Sequence, residues 1–259
     1  MSSELHTERR GTTLVLTLSD PASRNSLSEQ VSAAGVEALG VAESDPEVRA
    51  IVLRGAGDHF CGGSDLSRLG ADRESGPGAQ NQALQQFNTF VEAIRVCPKP
   101  VIAAVEGAAA RGGFALALAC DLVVAAADAR FLLSYGSLGL TPDGGATWHL
   151  MQRVPRATVL EWLWFGEPVP VSRLQELGLV NRVTGHGEAF DTALALAERL
   201  GQCAPNAVAS VKELVNQWPA LTLTQQSALE REHAVQNLFE PNASEGLQAF
   251  ADQRPPLFR

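Results

Sequence analysis

Hydrophobic residues recur along this chain in two rhythms. Residues 12–18, TTLVLTL, alternate as a strand does, and residues 49–55, RAIVLRG, form a nearly unbroken apolar run of the kind a strand buried on both faces requires. VIAAVEG at 101–107 and DLVVAA at 121–126 have the same character. Between these segments, helical spacing fits residues 27–41, 81–96, 113–119 and 144–153, whereas residues 68–79, which contain ADRESGPGA, predict a mobile loop. Such alternation of strand and helix predicts a layered α/β architecture. From about residue 155 the pattern turns wholly helical, with helices expected over 157–165, 171–177, 188–200, 205–218, 222–239 and 242–253. This tail either packs on the core or reaches toward a neighbouring subunit. No internal repeat or low-complexity tract interrupts it.

Composition narrows the picture. The 259 residues, 45% of them hydrophobic and 19% charged, suffice for one large domain or one domain with a helical appendage. A formal charge of −9, with no Lys/Arg run longer than two, argues against a nucleic-acid partner. The beginning, MSSELHTERRG, has no apolar segment, and nothing downstream approaches the 18 or so uninterrupted apolar residues of a membrane span, so a cytoplasmic protein is expected. Cys61, Cys97, Cys120 and Cys203 stand far apart, which predicts reduced thiols rather than a zinc or redox motif, and no cluster has metal-ligand spacing.

Two glycine segments carry the chemistry. GDHFCGGSDL at 57–66 and ARGGFALALACDL at 110–122 each read as a strand-to-helix turn with unpaired backbone N–H groups. Two such turns facing one another can grip an oxygen that carries negative charge, the layout of an oxyanion hole. Gly62 and Gly63 allow close backbone approach, and Gly112 and Gly113 open a helix whose N-terminal dipole attracts an anion.

SDPASRNSLS near the start, GDHFCGGSDL, the stretch from Pro100 to Asp121, SLGLTPDGGATWHL at 137–150 and ELGLVNRV at 176–183 together resemble the crotonase superfamily, the enoyl-CoA hydratase/isomerase family, nearly end to end. The resemblance implies a spiral of ββα turns forming two sheets over residues 1–195, then a helical oligomerisation region over 196–259 that builds a homotrimer or hexamer. It implies an acyl-CoA substrate whose thioester enolate is held by the N–H groups of Ser64 and Gly112, with no cofactor beyond the coenzyme A of the substrate. Arg24, Gly62, Gly63, Asp65, Leu66, Gly113 and Tyr135 are the substrate-binding positions implied, with Arg24 near CoA phosphate or adenine.

Departures from the family pattern shape the expected reaction. The two glutamates with which hydratases of this family activate water fall on Ala115 and Tyr135. Alanine has no titratable group, and a tyrosine of ordinary pKa about 10 is a poor base near neutrality. The remaining acid is Asp143, eight residues after Tyr135, which isomerase branches carry in a similar turn; the branch that acts on ring-epoxidised phenylacetyl-CoA is the most similar. An aspartate raised in pKa by apolar surroundings, for which Leu138, Leu140, Phe114 and Trp148 are candidates, is suited to shuttle a proton. The competing reading of Asp143 is an N-cap for the helix that follows.

Glu106 and Arg111 flank the second turn and are expected to be solvated, Asp65 is a helix cap as well as a candidate ligand, and Asp121 is structural. A Ser–His–Asp triad from His59 or His149 fails for want of a G-x-S-x-G elbow, and Phe60 spoils a dinucleotide fingerprint that begins at Gly55. Besides an isomerase, a hydratase with a different water-holding group, a hydrolase, a dehalogenase and a non-catalytic acyl-CoA binder remain open. The dehalogenase is disfavoured because no histidine lies between His59 and His149.

Overall fold

The computed structural model describes residues 3–259, and at positions 68 and 70–72 the backbone alone. Strands β1 (Glu4–Arg10), β2 (Thr13–Ser19), β3 (Ala50–Gly55), β4 (Val101–Val105), β6 (Leu122–Ala126) and β8 (Arg182–Thr184) form one sheet in the order β1-β2-β3-β4-β6-β8. Only the β1–β2 pair is antiparallel. β5 (Ala108–Ala110) and β7 (Arg130–Leu132) form a separate two-stranded sheet.

Period-two geometry explains how β3 serves two cores at once. Ile51 and Leu53 point to a large core with Leu16, Leu18, Phe90 and Ile94, while Ala50 and Val52 face a smaller one. The smaller core is closed by α8 (Ala189–Gly201), whose Ala189, Ala193 and Ala197 recur every fourth residue and let the helix lie close to the sheet. On the opposite face pack α1 (Glu29–Ser44) and α3 (Pro77–Val96). α4 (Gly112–Ala119) lies in the middle of the molecule with every residue buried, as its unbroken apolar sequence demands.

Two expectations change here. Residues 68–79 are not a loop: α2 (Leu66–Glu74) occupies most of that segment, capped by Asp65, whose Oδ1 accepts from Ser67 N at 3.0 Å, and α3 begins at Pro77 after Gly76. The polar start of the chain, in which no strand is expected, forms β1; its exposed, charged residues suit a sheet edge that must not recruit another chain.

The C-terminal helices are α9 (Pro205–Gln217), α10 (Leu223–Leu238) and α11 (Pro241–Ala251). They are tied to the core by Lys212 of α9, whose Nζ donates to Asp121 Oδ2 at 2.7 Å and to the carbonyls of Ile94 and Lys99, and by Asn216, whose Nδ2 donates to Arg95 O at 2.7 Å. Asp121 also accepts from Val101 N at 2.7 Å, so its structural role is plain. α8 is continuous through residue 195, and the segment that leaves the sheet begins after Gly201.

Candidate active site

The first glycine turn follows β3 and is held on both sides. Phe60 N donates to Glu106 O at 2.8 Å, Cys61 N to Ala108 O at 3.0 Å, and Ala110 N returns to Cys61 O at 2.9 Å. The turn is thereby zipped to the strand that leads into the second one. On its other side Gly62 N donates to Arg24 O at 2.8 Å and Leu27 N to Gly63 O at 3.0 Å. Arg24 sits in the left-handed region at φ 59° with its side chain exposed beside this turn.

Asn25, also at φ 55°, is a buried hub: its side-chain nitrogen donates to Ala56 O at 2.9 Å and His59 O at 2.7 Å, and its oxygen accepts from Asp20 N at 2.9 Å. The local pattern of the sequence does not mark it as a hub, because the two carbonyls that its side-chain nitrogen reaches lie 31 and 34 residues away.

Gly63 brings the two turns together. At φ +80° it has no room for a side chain; a Cβ there would lie 2.8 Å from Ala110 O and 3.1 Å from Gly112 N. Its peptide is fixed by the bond to Leu27 N, and the next amide is that of Ser64. Among the described residues neither Ser64 N nor Gly112 N donates to a protein acceptor. Gly112 N is the first amide of α4, so no preceding helical turn offers it a carbonyl.

Asp143 completes the arrangement. Its Oδ1 accepts from Tyr135 Oη at 2.6 Å and lies 3.4 Å from where a Cβ on Gly112 would be. The capping reading fails, because α5 (Ala146–Met151) is preceded by Gly145 and no side chain caps it; only the Asp143 carbonyl contributes, accepting from Ala146 N at 3.1 Å. The preceding positive φ of Gly144, +58°, lets the chain turn against Phe87 and Ala115, whose Cβ would stand 3.0 Å from one on Gly144. Burial pushes the Asp143 carboxyl above the usual carboxylate range, against the Tyr135 hydrogen bond, which favours ionisation. Tyr135 is buried and its hydroxyl is held in the protonated form by burial and by the neighbouring carboxylate.

The apolar wall differs from expectation. Phe114 is fully buried, edge-on to Phe131, but Leu138 and Leu140, in and after a turn, and Trp148 on α5 are exposed by 43%, 43% and 46%. Leu27 and Phe87, which sequence reasoning missed, stand over Gly112 instead. Both also line a cleft of about 500 Å³ between the start of α1 and helices α2 and α3, together with Ser64 and Asp65. Asp143 and Tyr135 lie beyond that wall rather than on the lining.

Charged residues near the second turn are placed unexpectedly as well. Arg111 is not a solvated loop-edge residue: its Nη2 donates to Gly62 O at 2.6 Å. Glu106 accepts from Gly187 N and Ala189 N and thereby caps α8. Glu106, Asp128 and His186 present ligand-type atoms within 4.8 Å of one another at the surface, a grouping that sequence spacing does not reveal. The Glu106 oxygens are already used, and Asp128 pairs with His186 at 3.0 Å. His59 accepts from Ala108 N and His149 is buried in α5, and among the described residues neither is hydrogen-bonded to Ser64.

A family model described as enoyl-CoA hydratase/isomerase matches residues 8–259. The chain belongs to that family. It is 34% identical to the 1,2-epoxyphenylacetyl-CoA isomerase of Escherichia coli over 95% of this chain and 94% of that one, and 31% identical to the enoyl-CoA hydratase EchA19 of Mycobacterium tuberculosis over 97% and 95%. In structure it is similar to an enoyl-CoA hydratase from Polaromonas sp. JS666, with a TM-score of 0.97, 49% identity, and coverage of 99% of this chain and 100% of that one. The crotonase fold expected from the motifs is thus the fold observed. Among the described residues no helix is long and apolar enough to cross a membrane.

Proposed function

We propose that this enzyme isomerises an acyl-CoA thioester, with Asp143 as the proton shuttle and the N–H groups of Ser64 and Gly112 as the oxyanion hole. Asp143 takes a proton from the carbon beside the thioester carbonyl, the electron pair moves onto the carbonyl oxygen, and the two amides hold the resulting enolate. Collapse of the enolate returns the same proton to a different carbon, so the double bond migrates, or a ring epoxide rearranges, with no change in atomic composition. Each amide donor of such a hole is worth about 3–4 kcal/mol in the transition state.

The observation that carries this reading is the placement of one half-buried carboxylate, hydrogen-bonded to Tyr135, against Gly112. Ala115, at one of the positions where hydratases of the family are expected to carry glutamate, is fully buried and apolar, which supports isomerase over hydratase. Arg24, Gly62, Gly63, Asp65 and Leu66 form the approach for the CoA moiety, the buried Gly113 packs against Cys61 behind the second turn, and the cleft lined by Leu27, Ser64 and Phe87 takes the acyl thioester. Leu27 and Phe87 must give way for the reacting carbon to reach Asp143.

The helical region after Gly201, which makes up residues 202–259 of the 196–259 expected, joins subunits into a homotrimer or hexamer in the cytoplasm. Its support is the exposure of Trp218, Leu223, Phe239 and Phe250, at 59%, 83%, 83% and 85%. Light scattering behind a sizing column reads that mass directly.

Incubation with 3-enoyl, dienoyl, 2-enoyl and ring-epoxidised phenylacetyl thioesters tests the reaction. Isomerisation of a 3-enoyl, dienoyl or epoxide substrate is expected. Dominant hydration of 2-enoyl thioesters overturns the proposal in favour of a hydratase. A thermal shift with thioesters but no product from any of them would make the protein a binder.

A further inference from the structure

Arg111 stands between the two glycine turns and touches both. Its backbone has φ 51° and ψ −119°, the angles that the first corner of a type II′ turn takes and that glycine usually supplies. A long side chain at such a place persists only where the surroundings hold it there. The surroundings do so through both ends of the residue. Arg111 N donates to Leu132 O at 2.8 Å, and Arg111 O accepts from Phe114 N and Ala115 N, so its two peptides are pinned to β7 and to α4. The second of those peptides contains the Gly112 N–H, and its direction is set by the unusual Arg111 angles.

The side chain then folds back over the opposite turn. Nη2 donates to Gly62 O at 2.6 Å and approaches Ser64 O at 3.5 Å, while Nη1 reaches Ser134 Oγ at 3.5 Å. Gly62 O and Ser64 O flank the peptide that bears the Ser64 N–H, and Gly63 O, between them, is taken by Leu27 N. With these carbonyls all turned to protein donors, the Ser64 N–H is left facing the other way. The Arg111 Cβ lies 3.1 Å from where a Cβ on Gly63 would stand, so the glycine is what leaves room for the arginine beside the turn.

We propose that Arg111 is a positioning residue for the oxyanion hole: its backbone aims the Gly112 N–H and its guanidinium clamps the Gly62 and Ser64 carbonyls, so that one residue sets the distance and angle between the two donors. This rests on the assignment of the hole to Ser64 and Gly112. A planar guanidinium with several donors in fixed directions suits the task, and the single ammonium of lysine cannot address the same set of acceptors. Hole donors must be held within about 0.5 Å of the productive geometry, which is why a clamp outside the reacting atoms matters to rate.

Three variants test it. Arg111→Gly frees the backbone and removes the clamp, Arg111→Gln keeps a shorter polar side chain, and Arg111→Lys keeps the charge alone. The expected result is a fall in kcat of tenfold or more in all three, with KM for the thioester changed less than threefold and the melting temperature of Arg111→Gly no lower than that of the parent. The acid limb of the kcat profile should also move to higher pH in Arg111→Gly and Arg111→Gln, because the guanidinium is a nearby positive charge that favours ionised Asp143. A merely structural arginine would lower the melting temperature and leave the kcat of the folded variants near that of the parent; the limb shift reports the lost charge alone.

Full kcat in Arg111→Gly overturns the proposal, as does full rescue by lysine. Crystal structures of the parent and Arg111→Gln supply a readout independent of turnover: the Ser64 and Gly112 nitrogens should shift relative to one another by more than about 0.5 Å, and an unchanged separation overturns the clamp. If the parent turns over no thioester, the proposed reaction fails while this structural arm still decides the role of Arg111.

Discussion

Replacing Asp143 by asparagine separates its chemical role from its place in the fold. The amide has the shape of the carboxylate, and its oxygen still accepts the hydrogen bond from Tyr135 Oη that spans 2.6 Å in the parent. Gly112, 3.4 Å from Asp143 Oδ1 at its Cβ position, keeps its surroundings, so the amide donors stay in place. What disappears is the ability to accept a proton. Acid–base catalysis by a positioned side chain contributes about 10²–10⁴ in rate, which at 1.36 kcal/mol per decade is about 3–5 kcal/mol of barrier.

The same change should stabilise the protein. Burial raises the Asp143 pKa above its ordinary value of 3.8, so between that value and the folded one the native state binds the proton more tightly than the unfolded chain. Stability therefore falls as pH rises through that window, and the deficit persists at neutral pH. Asparagine removes the deficit. The expected result is a kcat at least ~100-fold lower, KM changed little, and a melting temperature at pH 7 equal to or above that of the parent. Proton NMR in deuterium oxide follows both isomerisation and exchange at the acidic carbon, and scanning calorimetry follows stability. A kcat within threefold of the parent would refute the assignment of the shuttle, and a clear loss of stability would refute the argument from burial.

Other consequences are open to measurement. His149 is buried and its pKa is pushed down to about 4, chiefly by desolvation and further by Arg153 and Arg95; the unfolded chain takes up this proton first, so stability should be lost as pH falls from about 6.5 to about 4, by roughly 3 kcal/mol in all. In His149→Met that part of the pH dependence should vanish from urea titrations. Lys212→Met leaves Asp121 without its cation at the root of α9 and should cost about 3 kcal/mol by urea denaturation, at the low end of the range because the Asp121 side chain keeps 26% exposure. Gly63→Ala forces a Cβ to within 2.8 Å of Ala110 O at a φ of +80°; it should lower the melting temperature and cut kcat more than ~100-fold if the two turns part, as loss of an oxyanion donor does.

Much of the scaffold was legible because its signals are local. The unbroken apolar runs of β3, β4 and β6 and the wholly buried α4 declare themselves by composition, and the glycine pairs mark both turns. The strand β1 was not legible, since its residues are those of a solvated edge and only pairing with β2 makes it a strand. The segment of α2 was hidden by its glycines and charges, although Asp65 supplies the cap that starts it. In the site, Asp143 was visible as the acid of the PDGG turn, and Tyr135 as the phenol at a position where the resemblance leads one to expect a glutamate. Their direct contact was not, because it depends on how a turn with two left-handed glycines folds back. Leu27, Phe87 and the Arg111 clamp escaped for the same reason: each meets partners that the fold alone brings near.

The proposed grip on the substrate is made of main-chain amides, and no substitution except proline deletes an amide hydrogen. A lineage with this scaffold can therefore exchange its acids and bases one at a time while the hold on the thioester persists through every intermediate sequence. Relatives at 31–34% identity carrying names as different as hydratase, dehydratase and epoxide isomerase are the outcome such an inheritance leads one to expect. Novel chemistry arises at the side chains, while the anion's seat is handed down with the backbone.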